Sequence, residues 1–298
     1  MKKSVFEIAT ERMVTLLQSG TNPWRKNWST TTSLAPMNYT TKRRYSGINF
    51  FLLSMFENPL WMTYKQIIQR GGAVKKGAKS EIVFYWLWTF FDANRRITKN
   101  ENEAVKKIPK LRYYRVFNAP DIEGIEFKYP DKQKLKPNEK YQHCETLIES
   151  TGVKIQHINS NQPYYNFVKD FINMPIIGSF DNSDFYYSTL FHELGHWTGH
   201  QSRLNRELPS RFAEKNYSRE ELVAEMTSAF LCAEMGVDNN DLAENQAAYL
   251  RGWIKALKGD ARLIITAASA AQKAFKLITA NFSKPSQKPV LETAATNP

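Results

Sequence analysis

Cysteine is scarce in this chain of 298 residues, which contains only Cys144 and Cys232. Two cysteines cannot build the disulfide framework that staples small secreted domains, so we expect two reduced thiols. Long apolar runs are also absent, because no stretch reaches the ~18 residues that a membrane-spanning helix needs. These absences argue against a disulfide-rich secreted protein and against a protein that spans a membrane by helices.

The N-terminal segment also lacks the features of a secretory signal. Its apolar residues are interrupted by Glu7, Glu11 and Arg12, and no small-residue cleavage site follows. We interpret it as an amphipathic helix that ends near Gly20. We therefore expect a cytoplasmic protein without a membrane partner.

Acidic residues are few in the first half of the chain. Residues 1–143 hold 26 Lys and Arg against 12 Asp and Glu, a net +14, whereas residues 144–298 hold 15 against 17, a net −2. A basic half beside a near-neutral half is typical of a polyanion-binding domain joined to a second function. A solvated basic surface without a partner is the alternative explanation.

Hydrophobic periodicity predicts an α+β first half and a mostly helical second half. Two strands, 81–91 and 110–119, are expected to flank a charged loop or hairpin tip. Two prolines in 129–140 indicate a linker. Ser218 is the predicted N-cap of a later helix. The predicted organisation is one domain over 1–140, a second over 141–283 and a disordered tail over 284–298.

The basic half is rich in tryptophan. It contains five of the seven tryptophans: Trp24, Trp28, Trp61, Trp86 and Trp88. Cations that follow phosphates and flat rings on which bases stack are typical of proteins that bind single strands without strong sequence preference. Burial in the core is the competing interpretation, and it is favoured for Trp86 and Trp88 because their strand is apolar.

The stretch "LFHELGHWTGH", residues 190–200, contains the pattern H-E-x-x-H. On a helix, His192 and His196 lie on one face and can bind one metal ion. Glu193 would then accept a proton from the attacking water. His200 is an unsuitable third ligand, because three histidines at i, i+4 and i+8 place the outer two about 12 Å apart along the axis.

The next helix offers acids for the third position, since Glu221 and Glu225 in "EELVAE" are four residues apart. One can bind the ion, and the other can accept the outer N–H of a ligand histidine. Glu221 also fits a capping box with Ser218, which is a common structural role. Glu225 recurs in an apolar helix, where a buried acid needs a partner.

Several motifs together carry a family resemblance. "HELGHWTGHQSRLNR" followed by "YSREELVAEMTSAFL" resembles the metallopeptidase domain of the ArdC-type antirestriction proteins. "NPWRKNW", "YSGIN", "WMTYKQ" and "GGAVKKGAKSEIVFYW" are similar to the N-terminal single-stranded-DNA-binding domain of that family, which conjugative primases of the TraC type share. The resemblance covers nearly the whole chain in the family's order, except 92–110 and the residues after 283.

The resemblance implies a zincin-like metalloprotease domain behind a domain that binds single-stranded DNA. It implies a Zn²⁺ ion, or another divalent ion, on His192, His196 and Glu221, with Glu193 catalytic and Glu225 beside a ligand histidine. The cofactor and the first partner would thus be Zn²⁺ and single-stranded DNA. Candidate DNA-binding residues are Trp24, Arg25, Lys26, Trp28, Asn38, Arg43, Arg44, Tyr45, Asn49, Lys65, Lys75, Lys76 and Lys79.

The implied function is protection of incoming DNA from host restriction by a protein encoded on a plasmid, phage or other mobile element. A host protein or a restriction enzyme would be the second partner, as substrate of the peptidase. One alternative is a DNA-binding protein whose metal is only structural. Another is a protease effector that uses DNA for localisation alone. Glu193 favours hydrolysis, because a structural metal site has no use for a general base.

Overall fold

The computed structural model describes residues 3–25, 35–99, 101–129, 137–157, 162–206, 214–239 and 246–282. It confirms an α+β fold. The helices are α1 Val5–Gln18, α2 Ile48–Leu53, α3 Tyr64–Gln69, α4 Pro137–Thr151, α5 Ser183–Trp197, α6 Glu214–Met235, α7 Gln246–Gly259 and α8 Leu263–Ile278. The strands are β1 Met37–Asn38, β2 Leu60–Met62, β3 Ala73–Val74, β4 Glu81–Phe91, β5 Ile97–Thr98, β6 Lys106–Asn118, β7 Ile122–Glu123, β8 Ile155–Gln156, β9 Tyr164–Asn166 and β10 Phe171–Asn173.

Capping boxes mark the starts of two helices. Ser4 and Glu7 close a capping box at the start of α1, and Thr63 and Gln66 close another at the start of α3. Two predicted boundaries are wrong. The helix α6 begins at Glu214, so Ser218 lies inside it and is no N-cap. The helix α4 begins at Pro137, within the predicted linker, because proline is well tolerated in a first helical turn.

Three sheets form within the described residues. The largest has the strand order β1-β2-β6-β4-β5, and its longest pairing is the antiparallel ladder of β4 and β6. A three-stranded sheet has the order β8-β10-β9, and β3 pairs with β7. Because β1, β2 and β5 are only two or three residues long, most of the β4–β6 ladder extends beyond its neighbours.

The exposure of this ladder corrects the prediction for its tryptophans. Val83 and Phe84 at its base are buried, but Trp86 is 40% and Trp88 is 50% exposed. Hydrophobic strands are buried only where a second layer covers them. The described residues form no complete second layer over the outer ladder, so Trp86 and Trp88 stay partly exposed and their favoured core assignment is wrong.

The main core joins the two halves of the chain. Met13 and Leu17 of α1 belong to the same buried cluster as residues of α6, α7 and α8. Trp24, which follows α1, is fully buried and packs edge-to-face on Trp253 of α7, with ring centroids 5.2 Å apart. The residue boundary at 140 stays a prediction, while the core around α1 is shared across it. The tail over 284–298 lies outside the described residues.

The helices α5 and α6 approach each other closely at Gly195. A methyl group built on Gly195 would lie 2.8 Å from the Cα atom of Ala224. Only glycine therefore allows this approach without displacement of α6. Among the described residues, no helix is both long and apolar enough to pass through a bilayer.

We expect Gly195→Ala to lower the free energy of unfolding by ~1–3 kcal/mol, because the added methyl group overpacks the contact. Helix propensity alone would give the opposite sign. Gly252→Ala is the matched control, since Gly252 lies on α7 with no neighbouring atom within 4 Å of an added methyl group. That control should gain ~0.5–1 kcal/mol. Urea unfolding of both variants checks the sign, and equal stabilisation would contradict the packing account.

Candidate metal centre

Two histidines of α5 lie side by side at the centre of the site. The Nε2 atoms of His192 and His196 are 3.1 Å apart. Asn182 begins the helix by accepting a hydrogen bond from the backbone N–H of Phe185. Leu190, Phe191 and Leu194 on the same helix are buried in the main core. These buried residues hold the helix against the core. His192 and His196 are about one helical turn apart, so both imidazoles lie on the face of α5 that points away from the core.

Glu221 of α6 completes a cluster of three potential ligands. Its carboxylate oxygens lie 3.4 Å from Nε2 of His192 and 3.5 Å from Nε2 of His196. Two ligand atoms of a tetrahedral Zn²⁺ lie roughly 3.3 Å apart, since its bonds to nitrogen and oxygen are about 2.0–2.1 Å long. The three side chains therefore fit one divalent ion without rearrangement. Among the described residues, they form a group of side chains that could hold a metal ion.

Two further glutamates lie behind the histidines. Oε1 of Glu225 is 3.8 Å from Nδ1 of His192, and Oε1 of Glu220 is 3.4 Å from Nδ1 of His196. Carboxylates in this position orient an imidazole and strengthen it as a ligand. Glu220 was missed by the sequence analysis, which considered only the acids four residues apart. The doublet of Glu220 and Glu221 next to an acid pair is the signal that could have identified it.

An arginine anchors each of these outer glutamates. Arg206 donates to both carboxylate oxygens of Glu220, at 2.6 and 3.0 Å, and also to the carbonyl oxygen of Gly195. Arg25 donates to Glu225 at 2.8 Å, and both side chains are largely buried. Arg25 belongs to the basic half, so that half supplies one support of the metal centre.

The electrostatic field of the site favours a cation. Burial lowers the pKa of His192, but the hydrogen bond to Glu221 and the charges of Glu225 and Glu193 outweigh it and raise the pKa to about 9. Burial raises the pKa of Glu220, while its hydrogen bonds to His196 and Arg206 bring it below its ordinary value. The negative charges that surround His192 also favour a divalent ion at this position.

Glu193 follows the first histidine and is 7% exposed. Its carboxylate makes no hydrogen bond or ion pair with any described residue. His200 lies apart from the cluster, in a turn where its Nδ1 is 2.7 Å from the hydroxyl of Ser202. Its exclusion as a third ligand therefore agrees with the structure.

Several candidate DNA-binding residues have partners inside the protein. Trp24 is buried, Arg25 pairs with Glu225, and Arg44 pairs with Glu234. Asn38 exchanges hydrogen bonds with the side chain of Gln66. Asn49 exchanges hydrogen bonds with the backbone of Phe84.

The remaining candidates differ in exposure. Tyr45 is half-buried, and Lys75 donates to the carbonyl oxygen of Pro120. Lys26 and Trp28 lie outside the described residues. The exposed cations of the set are Arg43, Arg44, Lys65, Lys75, Lys76 and Lys79.

Comparison with known proteins matches both halves. Residues 142–270 match a family described as zincin-like metallopeptidase, and residues 3–117 match the N-terminal domain of anti-restriction factor ArdC. The metal-free crystal structure of the antirestriction protein ArdC from the R388 plasmid is 34% identical, with a TM-score of 0.75 over 94% of this chain and 98% of that one. This chain belongs to the ArdC family.

Other relatives extend the comparison. A Mn(II)-bound crystal structure of the same R388 ArdC is equally similar, with a TM-score of 0.75 over 94% of this chain and 99% of that one. The DNA primase TraC of Escherichia coli is 35% identical over 91% of this chain. The chain spans only 20% of the length of that primase. The ArdC-like region is thus also found within a much larger protein.

We expect elemental analysis of this ArdC-family protein, after dialysis, to find about one divalent ion per chain. His196→Ala and Glu221→Gln should lose it, because each removes one of three ligands. Glu225→Gln should keep the ion with affinity reduced about 10–100-fold, as for a residue that supports a ligand. His200→Ala is the control and should match the wild type. Metal loss in Glu225→Gln with retention in Glu221→Gln would exchange the roles of the two acids.

We expect Arg25→Gln to weaken metal binding about tenfold, because Glu225 then loses the partner that holds it beside His192. Arg44→Gln is a matched control, since Arg44 also pairs with a glutamate of α6 at 2.8 Å but contacts neither histidine. Titration with a chelator of known affinity measures both. Equal affinities in the two variants would show that Arg25 has no part in positioning the site.

Proposed function

We propose that this chain is an antirestriction protein of a mobile element, one that binds single-stranded DNA and carries a hydrolytic divalent-metal site. The observation that supports it most strongly is the cluster of His192, His196 and Glu221 with Glu193 beside it. A basic half with a net charge of +14 accompanies this site on one chain. Incoming DNA meets restriction enzymes in the cytoplasm, where we place the protein.

Two imidazole nitrogens and one carboxylate oxygen are a ligand set that Zn²⁺ accepts readily. Binding of Mn(II) by the R388 ArdC supports a site that accepts other divalent ions as well. When bound, such an ion supplies Lewis-acid chemistry that makes water an effective nucleophile at neutral pH. Glu193 would accept a proton from the attacking water and return it to the leaving group, while Glu220 and Glu225 keep the two histidines oriented.

The reaction class follows from the match to a zincin-like metallopeptidase family. We propose hydrolysis of a peptide bond in a host protein, for which a restriction enzyme is the leading candidate. Attachment of the hydrolase to a DNA-binding half raises its effective concentration near incoming DNA. The substrate would then be a protein that acts on that DNA.

A DNA-binding protein with a structural metal is the second candidate function. Structural zinc sites are closed by four protein ligands, whereas catalytic sites keep a position open. The described residues bring together three such ligands, and the side chains of His192 and Glu221 remain 20% and 21% exposed. These features favour hydrolysis over a closed structural site.

We expect Glu193→Gln to keep the metal ion and to abolish protection of incoming DNA, because a general base contributes about 10²–10⁴ in rate. Plasmid transfer into a restricting host measures protection, and elemental analysis measures the ion. His196→Ala is the comparison variant, since it should lose both. Full protection by metal-loaded Glu193→Gln would refute the hydrolytic role and favour the structural metal.

A further inference from the structure

The outer part of the β4–β6 ladder, here called the arm, consists of residues 85–91 and 106–112. Its large apolar side chains are exposed on both faces. Tyr85, Leu87 and Ile108 on one face are 41%, 42% and 41% exposed, and Trp86 and Trp88 on the other face are 40% and 50% exposed. Soluble proteins rarely expose such a cluster unless it binds a partner. The metal centre does not involve the arm, and the residues predicted from the sequence to bind DNA lie outside it.

The strand register divides the arm into two faces, since residues directly opposite each other in an antiparallel pair point the same way. On one face Tyr85 is opposite Arg112, Leu87 is opposite Lys110, and Phe91 is opposite Lys106. We call this face the cationic face. Each of these three pairs combines an apolar or aromatic side chain on β4 with a cation on β6, and a fourth pair on the same face, Thr89 opposite Ile108, lies between two of them.

The opposite face has a different composition. There Trp86 is opposite Leu111, and Trp88 is opposite Pro109. Trp86 also packs against Phe6 of α1, with ring centroids 6.1 Å apart. This face also carries one cation, Lys107, whose ammonium group lies 5.3 Å from the ring centroid of Phe90. It is therefore mainly apolar, and at Trp86 it is partly engaged within the protein.

The cations of the cationic face have no acidic partner among the described residues. Lys106, Lys110 and Arg112 are exposed and form no ion pair with any described residue. Glu81, the acid at the base of the same face, is already paired with Arg12. Residues 81–118 hold eight Lys and Arg against four Asp and Glu, a net +4. Three cations on one face, without an acidic partner in the described part of the chain, are complementary to a polyanion.

The spacing of these cations suits an extended polyanion. Alternate residues of a strand are about 6.8 Å apart, so the cations form an interrupted row along β6. Lys110 and Arg112 are alternate residues, whereas Lys106 lies about 13.6 Å from Lys110 because Ile108 stands between them. Tyr85 and Tyr114 lie beside this row with their ring centroids 5.7 Å apart. Exposed rings beside a row of cations combine phosphate contacts with base stacking, which is how proteins bind single strands.

We infer that the cationic face of the arm is the surface on which single-stranded DNA binds, with phosphates on Lys106, Lys110 and Arg112 and a base stacked on Tyr85. The inference rests on the proposed DNA-binding function and assigns it to residues that the sequence analysis did not select. DNA binding on the arm does not require Trp24, Asn38 or Asn49, whose side chains make contacts inside the protein.

The test uses the full chain, because α1 packs on helices of the second half. Binding of a fluorescent mixed-sequence oligonucleotide is measured by anisotropy over a range of salt concentrations. The triple variant Lys106→Ala, Lys110→Ala, Arg112→Ala should lose at least about tenfold in affinity, and its salt dependence should fall by about 2 in slope, since each phosphate contact contributes about 0.7.

A matched control removes the same charge elsewhere. Lys255 and Lys258 of α7 and Lys273 of α8 are exposed on the second half. Their triple replacement by alanine should change affinity by less than about twofold, because they make no local contact with the strand. Thermal unfolding and metal content of both triple variants should match the wild type, since every substituted side chain is exposed.

Tyr85→Ala separates stacking from charge. It should lose at least about fivefold in affinity with an unchanged salt slope, because one stacked base contributes a salt-independent free energy. A two-stranded ribbon can also enter the major groove of a duplex. A duplex competitor that displaces the oligonucleotide as well as a single strand does would therefore contradict the inference.

The two levels of the proposal fail in different ways. If the wild-type chain does not bind single strands, the proposed DNA-binding function is wrong, and the inference falls with it. If the wild-type chain binds and the arm variant binds as tightly as the control variant with the same salt slope, the function stands. In that case the assignment to the arm is overturned.

Discussion

The close approach of α5 and α6 at Gly195 is the contact on which the metal centre depends. The two histidines lie on one helix and Glu221 on the other, so the distances of 3.4 and 3.5 Å from Glu221 to the histidines exist only while these helices touch. Arg206 secures the same contact, because it donates both to the carbonyl oxygen of Gly195 and to Glu220. The geometry of the metal ligands therefore depends on the packing of α5 against α6.

Residues of the basic half also support the metal centre. Trp24 is buried against Trp253, and the neighbouring Arg25 holds Glu225 behind His192. Asn239, which follows α6, donates to the carbonyl oxygen of Trp24 and fixes the same segment. A chain that bound DNA only to bring a hydrolase close would need just a linker between its halves. Here the half proposed to bind DNA also supports the metal ligands, so the two activities share structural elements.

Much of this could be predicted from the sequence, for physical reasons that differ by element. Helical spacing alone brings His192 and His196 together, and the capping box of Thr63 and Gln66 marks α3. The role of Glu220 could not be predicted, because its anchor Arg206 comes from a separate segment of the chain. The burial of Trp24 and the exposure of Trp88 were unpredictable for a related reason. Apolar character does not reveal whether another layer covers a side chain.

The central claim is that two histidines and one carboxylate hold a single divalent ion in an open site. X-ray absorption spectroscopy on the zinc-loaded protein tests it most directly, because it reports ligand type and distance. The account predicts two imidazole nitrogens and additional oxygens, all at about 2.0–2.1 Å, and no sulfur. A fully protein-ligated site with sulfur near 2.3 Å, or a spectrum without imidazole, would contradict it.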